Sequence, residues 1–341
     1  MATALEAEAD KDRNVAAGEV PAGGARAVPG ALRKIDPASS VFSRRERGLY
    51  RDAVRRFFKN KLAIAGLILV IILVILAVFA DDWFLAIPLG REAEPLLAKY
   101  HYNDVFVGPS GAFPSREWWL GTDLAGRDFY SRIVYGARVS LSIGLLAQLI
   151  AFSIGIPLGA MAGWRGGRID FGVMRLVDVM SAIPVLLFAF LIMARLGPGY
   201  WNVMLAIGLT SWIAVSRLTR AQFLALREKE FVLASQSIGA GGWRIVRYHL
   251  LPNSLAPIIV ALSLGIPIAI FAEAALSFLG VGINPPTPSW GQMLSRDGLA
   301  NINFFWHLAL FPALMIAITM LGFTLMGDGL RDALDPHMLK G

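Results

Sequence analysis

Long apolar runs separated by short polar segments dominate the pattern of this chain. Leu62 to Ala80 carries no charged residue; as a helix rising about 1.5 Å per residue it reaches about 28 Å, close to the hydrocarbon thickness of a bilayer. Further runs of apolar character are predicted to span at 139–162, 172–194, 200–217, 254–282 and 305–327. The expectation is an all-α polytopic membrane protein with six transmembrane helices. A cleaved signal peptide is the rival for the first run, because Val78 and Ala80 precede Asp81 in a small-residue pattern. The sixty-odd residues ahead of it and its long apolar core favour an anchor.

Lys and Arg near the span ends set the expected orientation. Arg44, Arg45, Arg47, Arg51, Arg55, Arg56, Lys59 and Lys61 precede the first span, whereas Asp81 and Asp82 follow it. Both termini are therefore expected in the cytoplasm. Six crossings then place Arg165 and Arg168 inside, together with a loop at 218–253 carrying Arg220, Arg227, Lys229, Arg244 and Arg247. Residues 1–43, rich in Ala, Gly and Glu without apolar periodicity, read as a disordered cytoplasmic tail. Residues 44–80 form the entry and first span, and 81–138 an extracytoplasmic loop subdomain with Trp118 and Trp119 as interfacial anchors. Residues 139–330 are the core of five spans, and 331–341 a cytoplasmic C-terminal tail.

Composition supports the membrane reading and removes several chemistries. Of 341 residues 56% are hydrophobic and 17% charged, outside the range usual for soluble domains. With no cysteine, disulfides, thiolate metal sites and thiol nucleophiles are excluded, and the four histidines lack metal-ligand spacing. A net charge of +7 follows positive-inside topology better than nucleic-acid binding, since the basic residues flank apolar spans. No stretch has the two glycines with four residues between them, followed by Lys and Ser or Thr, that cradle phosphate. The chain is not expected to hydrolyse ATP.

The most distinctive polar segment is the 218–253 loop. It reads as two short helices, Glu228 to Ser237 and Trp243 to His249, around Gly239-Ala240-Gly241-Gly242. Ala234 and Ser235 are small enough for another protein to approach the backbone, Gly239 suits a left-handed helix end, and Pro252 is expected to stop the second helix before the membrane. An amphipathic loop lying on headgroups is the plain structural alternative.

The spacing of Leu233, Ala234, Ser235, Gly239, His249, Leu251 and Pro252 resembles the loop signature of ABC importer permeases: Glu-Ala-Ala, three residues, Gly, nine residues, Ile, one residue, Leu-Pro. Leu233 stands where the signature has an acid, and His249 where it has isoleucine. Residues 55–66 also resemble the dipeptide/oligopeptide/nickel permease family, on the side of its second permease subunit. So do Leu120-Gly121-Thr122-Asp123, Gly126-Arg127-Asp128, Ser131-Arg132, Leu276-Ser277-Phe278-Leu279-Gly280, Pro288-Ser289-Trp290-Gly291 and Arg331-Asp332-Ala333-Leu334-Asp335-Pro336. The resemblance implies a type I importer fold in a bacterial inner membrane, with the loop docking on an ATPase. It also implies a homologous second permease, two ABC ATPase subunits that bind the ATP and Mg, and an extracytoplasmic solute-binding protein. This chain itself would hold no cofactor, metal or catalytic residue. The solute would be a peptide, glutathione or a nickel complex.

Two acids lie inside predicted spans. Glu273 should face protein or water, since a carboxylate in hydrocarbon is costly, and is a pathway or gate candidate. Asp178 shares that status, with Arg175 one turn earlier as a structural partner. Pro267 and Gly265 would interrupt the fifth span just before Glu273. An ion-coupled secondary transporter using both acids is the rival function; it requires inverted repeats of broken helices, which the sequence does not display. Gly155 and Gly159 form a pair suited to close helix crossing.

Overall fold

The computed structural model describes residues 49–90 and 92–334; the expected tail at 1–43 and residues 335–341 lie outside them. Among the described residues the regular elements are all helical. Helices α1 (Leu49–Phe57), α2 (Lys61–Val78) and α3 (Trp83–Leu89) lead into an irregular segment that ends at α4 (Phe129–Arg165). Then come α5 (Gly167–Ser181), α6 (Val185–Leu196), α7 (Tyr200–Arg227), α8 (Glu230–Ser237) and α9 (Gly242–Ile245). A π-helical turn, Val246–Leu250, joins α9 to α10 (Leu251–Phe278); α11 (Trp290–Gln292) and a second π turn (Met293–Gly298) precede α12 (Trp306–Leu334). Five helices are long and apolar enough to cross a membrane, or six if α5 and α6 form one span.

The first span matches its expected limits, because α2 is apolar on every side and Asn60 caps it, accepting from the Leu62 and Ala63 amides. Ile68, Ile71 and Ile72 point outward from α2, as a lipid-facing helix requires.

Other spans depart from expectation for local reasons. The second begins ten residues early, at Phe129, since Asp128 caps α4 by accepting from the Ser131 amide at 2.8 Å. Its polar first turns are buried against protein, so hydropathy underestimates the helix. At 37 residues, α4 runs about 55 Å at about 1.5 Å per residue, well beyond a bilayer core. The third span is two helices bent by 82°. Pro184 disfavours helical geometry at Ile183, so α5 ends at Ser181. Pro252 does not stop a helix as expected: it lies in the first turn of α10, where its missing N–H costs little, and the helical path continues from Gly242 to Phe278. Nor do Gly265 and Pro267 interrupt α10.

The bundle is organised around α4 and α7. A Cβ at Gly155 would lie 2.8 Å from the Trp212 carbonyl, and one at Gly159 would collide with the Ser216 carbonyl. The two backbones therefore approach as closely as glycine permits. On the other flank, α2, α4, α10 and α12 share a core that includes Leu73, Phe129, Ile133, Ile270, Trp290 and Leu308.

Charges fasten the end of the bundle where α4 begins. Asp123 accepts from the Ala125 and Arg127 amides at 2.9 Å and from Arg127 Nε at 2.6 Å. Fully buried Arg132 lies between Asp123 at 3.5 Å and Asp297 at 3.6 Å, ion-pair distances without hydrogen-bond geometry. Burial pushes the Asp297 carboxyl above its usual range, and Arg132 opposes that rise. Arg138 pairs with Asp81 at 2.8 Å and also donates to the Ala77 carbonyl, tying α4 to the end of α2. Trp118 is not an interfacial anchor: it is buried and stacks on Tyr100, while Trp119 is 62% exposed.

Candidate functional site

The bracket formed by α8, α9 and the turn between them lies at the opposite end of the bundle. Val232 on α8, Ile245 on α9, Leu250 on the π turn and Phe223 on α7 are buried together, with Trp164 and Leu226 packed against them. Helix α8 therefore turns Val232 inward and leaves its neighbours outside. Ala234 is exposed and Ser235 half-buried, giving the small, approachable surface that their sizes predict.

Gly239 ends α8. Its φ of +81° is left-handed and nothing lies within 4 Å of where a Cβ would stand. Its amide donates to the Gln236 carbonyl at 2.9 Å and the Ala240 amide to Ser235 at 3.0 Å, closing the last turn as a left-handed cap does. The glycine thus serves backbone geometry, and the space beside it is free for another molecule.

Of the remaining positions of the signature, Ser235 and His249 meet beside this turn. Ser235 Oγ donates to the Phe231 carbonyl at 2.7 Å and meets His249 Nε2 at 3.3 Å, bridging α8 to the π turn. Asn253 donates to the His249 carbonyl at 2.6 Å. Leu251 is half-buried and Pro252 exposed at the start of α10. Leu233, 49% exposed, lines a recess with Trp164, Arg227, Glu228 and Gln236. In place of an acid, an apolar side chain stands near Arg227, which instead donates to the Gly163 carbonyl at 3.2 Å.

Sequence reasoning missed the most exposed members of the bracket. Ile238 is 86% and Trp243 74% exposed on either side of the glycine turn. Large apolar residues flanking a Gly-rich turn, off the buried stripe, were the available signal. Two such residues beside a vacant αL glycine make a surface suited to a protein partner.

The two intramembrane acids take different places. Asp178 is exposed and pairs with Arg217 of α7 at 3.1 Å, not with Arg175, which stacks over Phe171. Arg217 also donates to Ser181 Oγ at 3.0 Å, holding the end of α5 at the bend. Ser181 and Arg217 border a largely apolar cavity of about 510 Å³ between α4, α6, α7 and α10, with Gln148 and Thr210 among its polar members. Glu273 is fully buried in α10; its Oε1 accepts from Ser277 at 2.8 Å and from Ser289 at 2.7 Å. It pins the segment before α11 to α10.

Comparison with known proteins accounts for this arrangement. The family model described as a binding-protein-dependent transport system inner membrane component matches residues 155–340. That for the N-terminal TM domain of oligopeptide transport permease C matches 48–110. The oligopeptide transport system permease protein OppC of Bacillus subtilis is 41% identical over 299 residues, covering 87% of this chain and 93% of that protein. The dipeptide transport system permease protein DppC of the same organism is 43% identical over 291 residues, 85% of this chain and 86% of its own length. The glutathione transport system permease protein GsiD of Pectobacterium atrosepticum is 38% identical, covering 85% and 91%. A solved structure of the MetNI methionine ABC transporter aligns with a TM-score of 0.48 at 18% identity, covering 60% of this chain and 96% of that one. The chain belongs to the family of binding-protein-dependent transport system inner membrane components, multi-pass permeases of ABC importers.

Proposed function

We propose that this chain is one of two homologous permease subunits of a peptide importer, with both termini in the cytoplasm and α8–α9 docked on an ABC ATPase. The observation that carries this reading is the exposed bracket itself: Ile238 and Trp243 flank an open left-handed glycine. The bracket leads without a helix break into α10. A push on such a bracket is delivered directly to a transmembrane helix as rigid-body motion. The relatives' names favour oligopeptides, dipeptides or glutathione as the solute class. The translocation path lies where the cavity beside Arg217 and Asp178 faces the second permease. Glu273 acts there indirectly, by positioning the segment before α11. Two ATPase subunits and a solute-binding protein complete the importer.

Detergent co-purification of the tagged chain from its native membrane, with an ATPase assay of the eluate, tests this. A similar permease, two ATPases and nucleotide hydrolysis in one complex are expected. A chain that elutes alone, under conditions that preserve other membrane complexes, would favour an ion-coupled carrier instead.

A further inference from the structure

A polar recess of about 350 Å³ opens at the end of the bundle where α4 begins, which the proposed topology places outside, between the end of α10 and the second π turn. Ser277, Asn284, Gln292, Ser295 and Arg296 contribute its polar lining. Gln292 is only 3% exposed, yet neither atom of its side-chain amide has a hydrogen-bond partner. A buried amide left unpaired in this way costs free energy that a ligand can recover. Arg296 is exposed beside it and makes no ion pair among the described residues. Its neighbour Asp297 pairs with Arg132 at 3.6 Å, and Arg296 acts on that carboxyl only through its charge.

The walls are rigid. Glu273 accepts from both Ser277 and Ser289, Ser289 Oγ in turn accepts from the Gln292 backbone N–H at 3.1 Å, and Trp290 Nε1 donates to the Ile133 carbonyl at 3.0 Å. Gln292 is thereby fixed at the floor of the recess before anything binds, which lowers the ordering cost of recognition. A guanidinium and a carboxamide N–H converging on one small hollow match a carboxylate, and hydroxyl oxygens nearby can accept from an adjacent N–H.

We propose that this recess is an outer reception site for the carboxylate of the imported solute, with Arg296 supplying the charge and Gln292 a neutral donor. The proposal rests on the reading of the chain as an importer permease. A recess with its donor at the floor suits the end of a small molecule better than an acidic side chain on a docking protein's surface.

The chain has no cysteine, so Asn284→Cys, on the exposed rim, places a unique thiol in this subunit. In the assembled importer in lipid nanodiscs, its reaction with a small neutral maleimide is followed on the separated permease band, with trialanine or trialanine amide as probe. Trialanine is expected to slow labelling about tenfold, as loss of one charge-assisted contact scales, and the amide much less. Arg296→Gln in the same background should abolish protection, and Arg296→Lys should keep part of it. Equal protection by peptide and amide would overturn the proposal. So would no protection at saturating trialanine, or a thiol that the assembled complex conceals. Labelling needs no transport, so ATP-driven uptake by the same complex reads the importer assignment separately.

Discussion

The two ends of this bundle are built from opposite materials. Where α4 begins, loops are fastened by buried charge: Asp123 is saturated with donors, Arg132 is enclosed between two carboxylates, and Arg138 reaches across to α2. Where α8 and α9 lie, four buried apolar side chains and a single Ser235–His249 contact hold the bracket, and its most prominent residues face outward. Charged contacts enforce one geometry and fail abruptly when a member is lost. An apolar hinge tolerates small displacements and leaves surface for a partner. On the proposed docking of α8–α9, the contrast suits a machine held in register at one end and driven from the other.

Arg132→Leu should break that contrast most severely. Removing the enclosed cation leaves Asp123 and Asp297 without it, at a cost of about 3–5 kcal/mol. A fall in the thermal unfolding temperature of the detergent-solubilised complex, with reduced yield, is the expected reading; an unchanged transition would mean that the end where α4 begins is not held by charge.

Gly239→Asp tests the bracket end. A left-handed backbone costs an L-residue about 1–2 kcal/mol, and no neighbour in this chain would clash. Membrane insertion should survive and thermal stability should fall by no more than that strain, while ATP-driven uptake falls about tenfold, the kinetic equivalent of about 1.4 kcal/mol. Normal uptake by the variant would remove the docking assignment.

Trp243→Ala should have a smaller effect, weakening ATPase retention during purification by about 1 kcal/mol, as truncation of one aromatic at an interface does. If the ATPase stays bound through the same washes, Trp243 lies outside the interface. Ser235→Ala is expected to be the mildest change, about 0.5–1 kcal/mol from one lost hydrogen bond, seen as a slight downward shift in unfolding temperature.

Much of the scaffold was legible in the sequence where one physical term dominated. Leu62 to Ala80 is apolar on all faces and had only one plausible location. The limits of α4 were not legible, because Ser131, Arg132 and Arg138 look unsuited to a buried helix until their partners arrive, some from as far as 165 positions away. The bend at Pro184 could have been anticipated from the restriction that proline places on Ile183. Pro252 misled in the other direction, since a proline that ends one helix and a proline that begins another differ only in what precedes them. At the bracket, spacing singled out the turn and the small residues, but the exposure of Ile238 and Trp243 depends on which face Val232 and Ile245 bury.

The unbroken path from Gly242 to Phe278 joins the bracket at one end to the polar recess at the other. About 55 Å of helix thus makes them parts of a single lever, and thermodynamic linkage makes traffic along it two-way. Whatever free energy a nucleotide state contributes at Gly239 toward altering the grip on a carboxylate beside Ser277, the arriving carboxylate returns to the nucleotide site in equal measure. On the proposed docking and reception roles, such a helix would let the importer sense cargo with the same element that moves it.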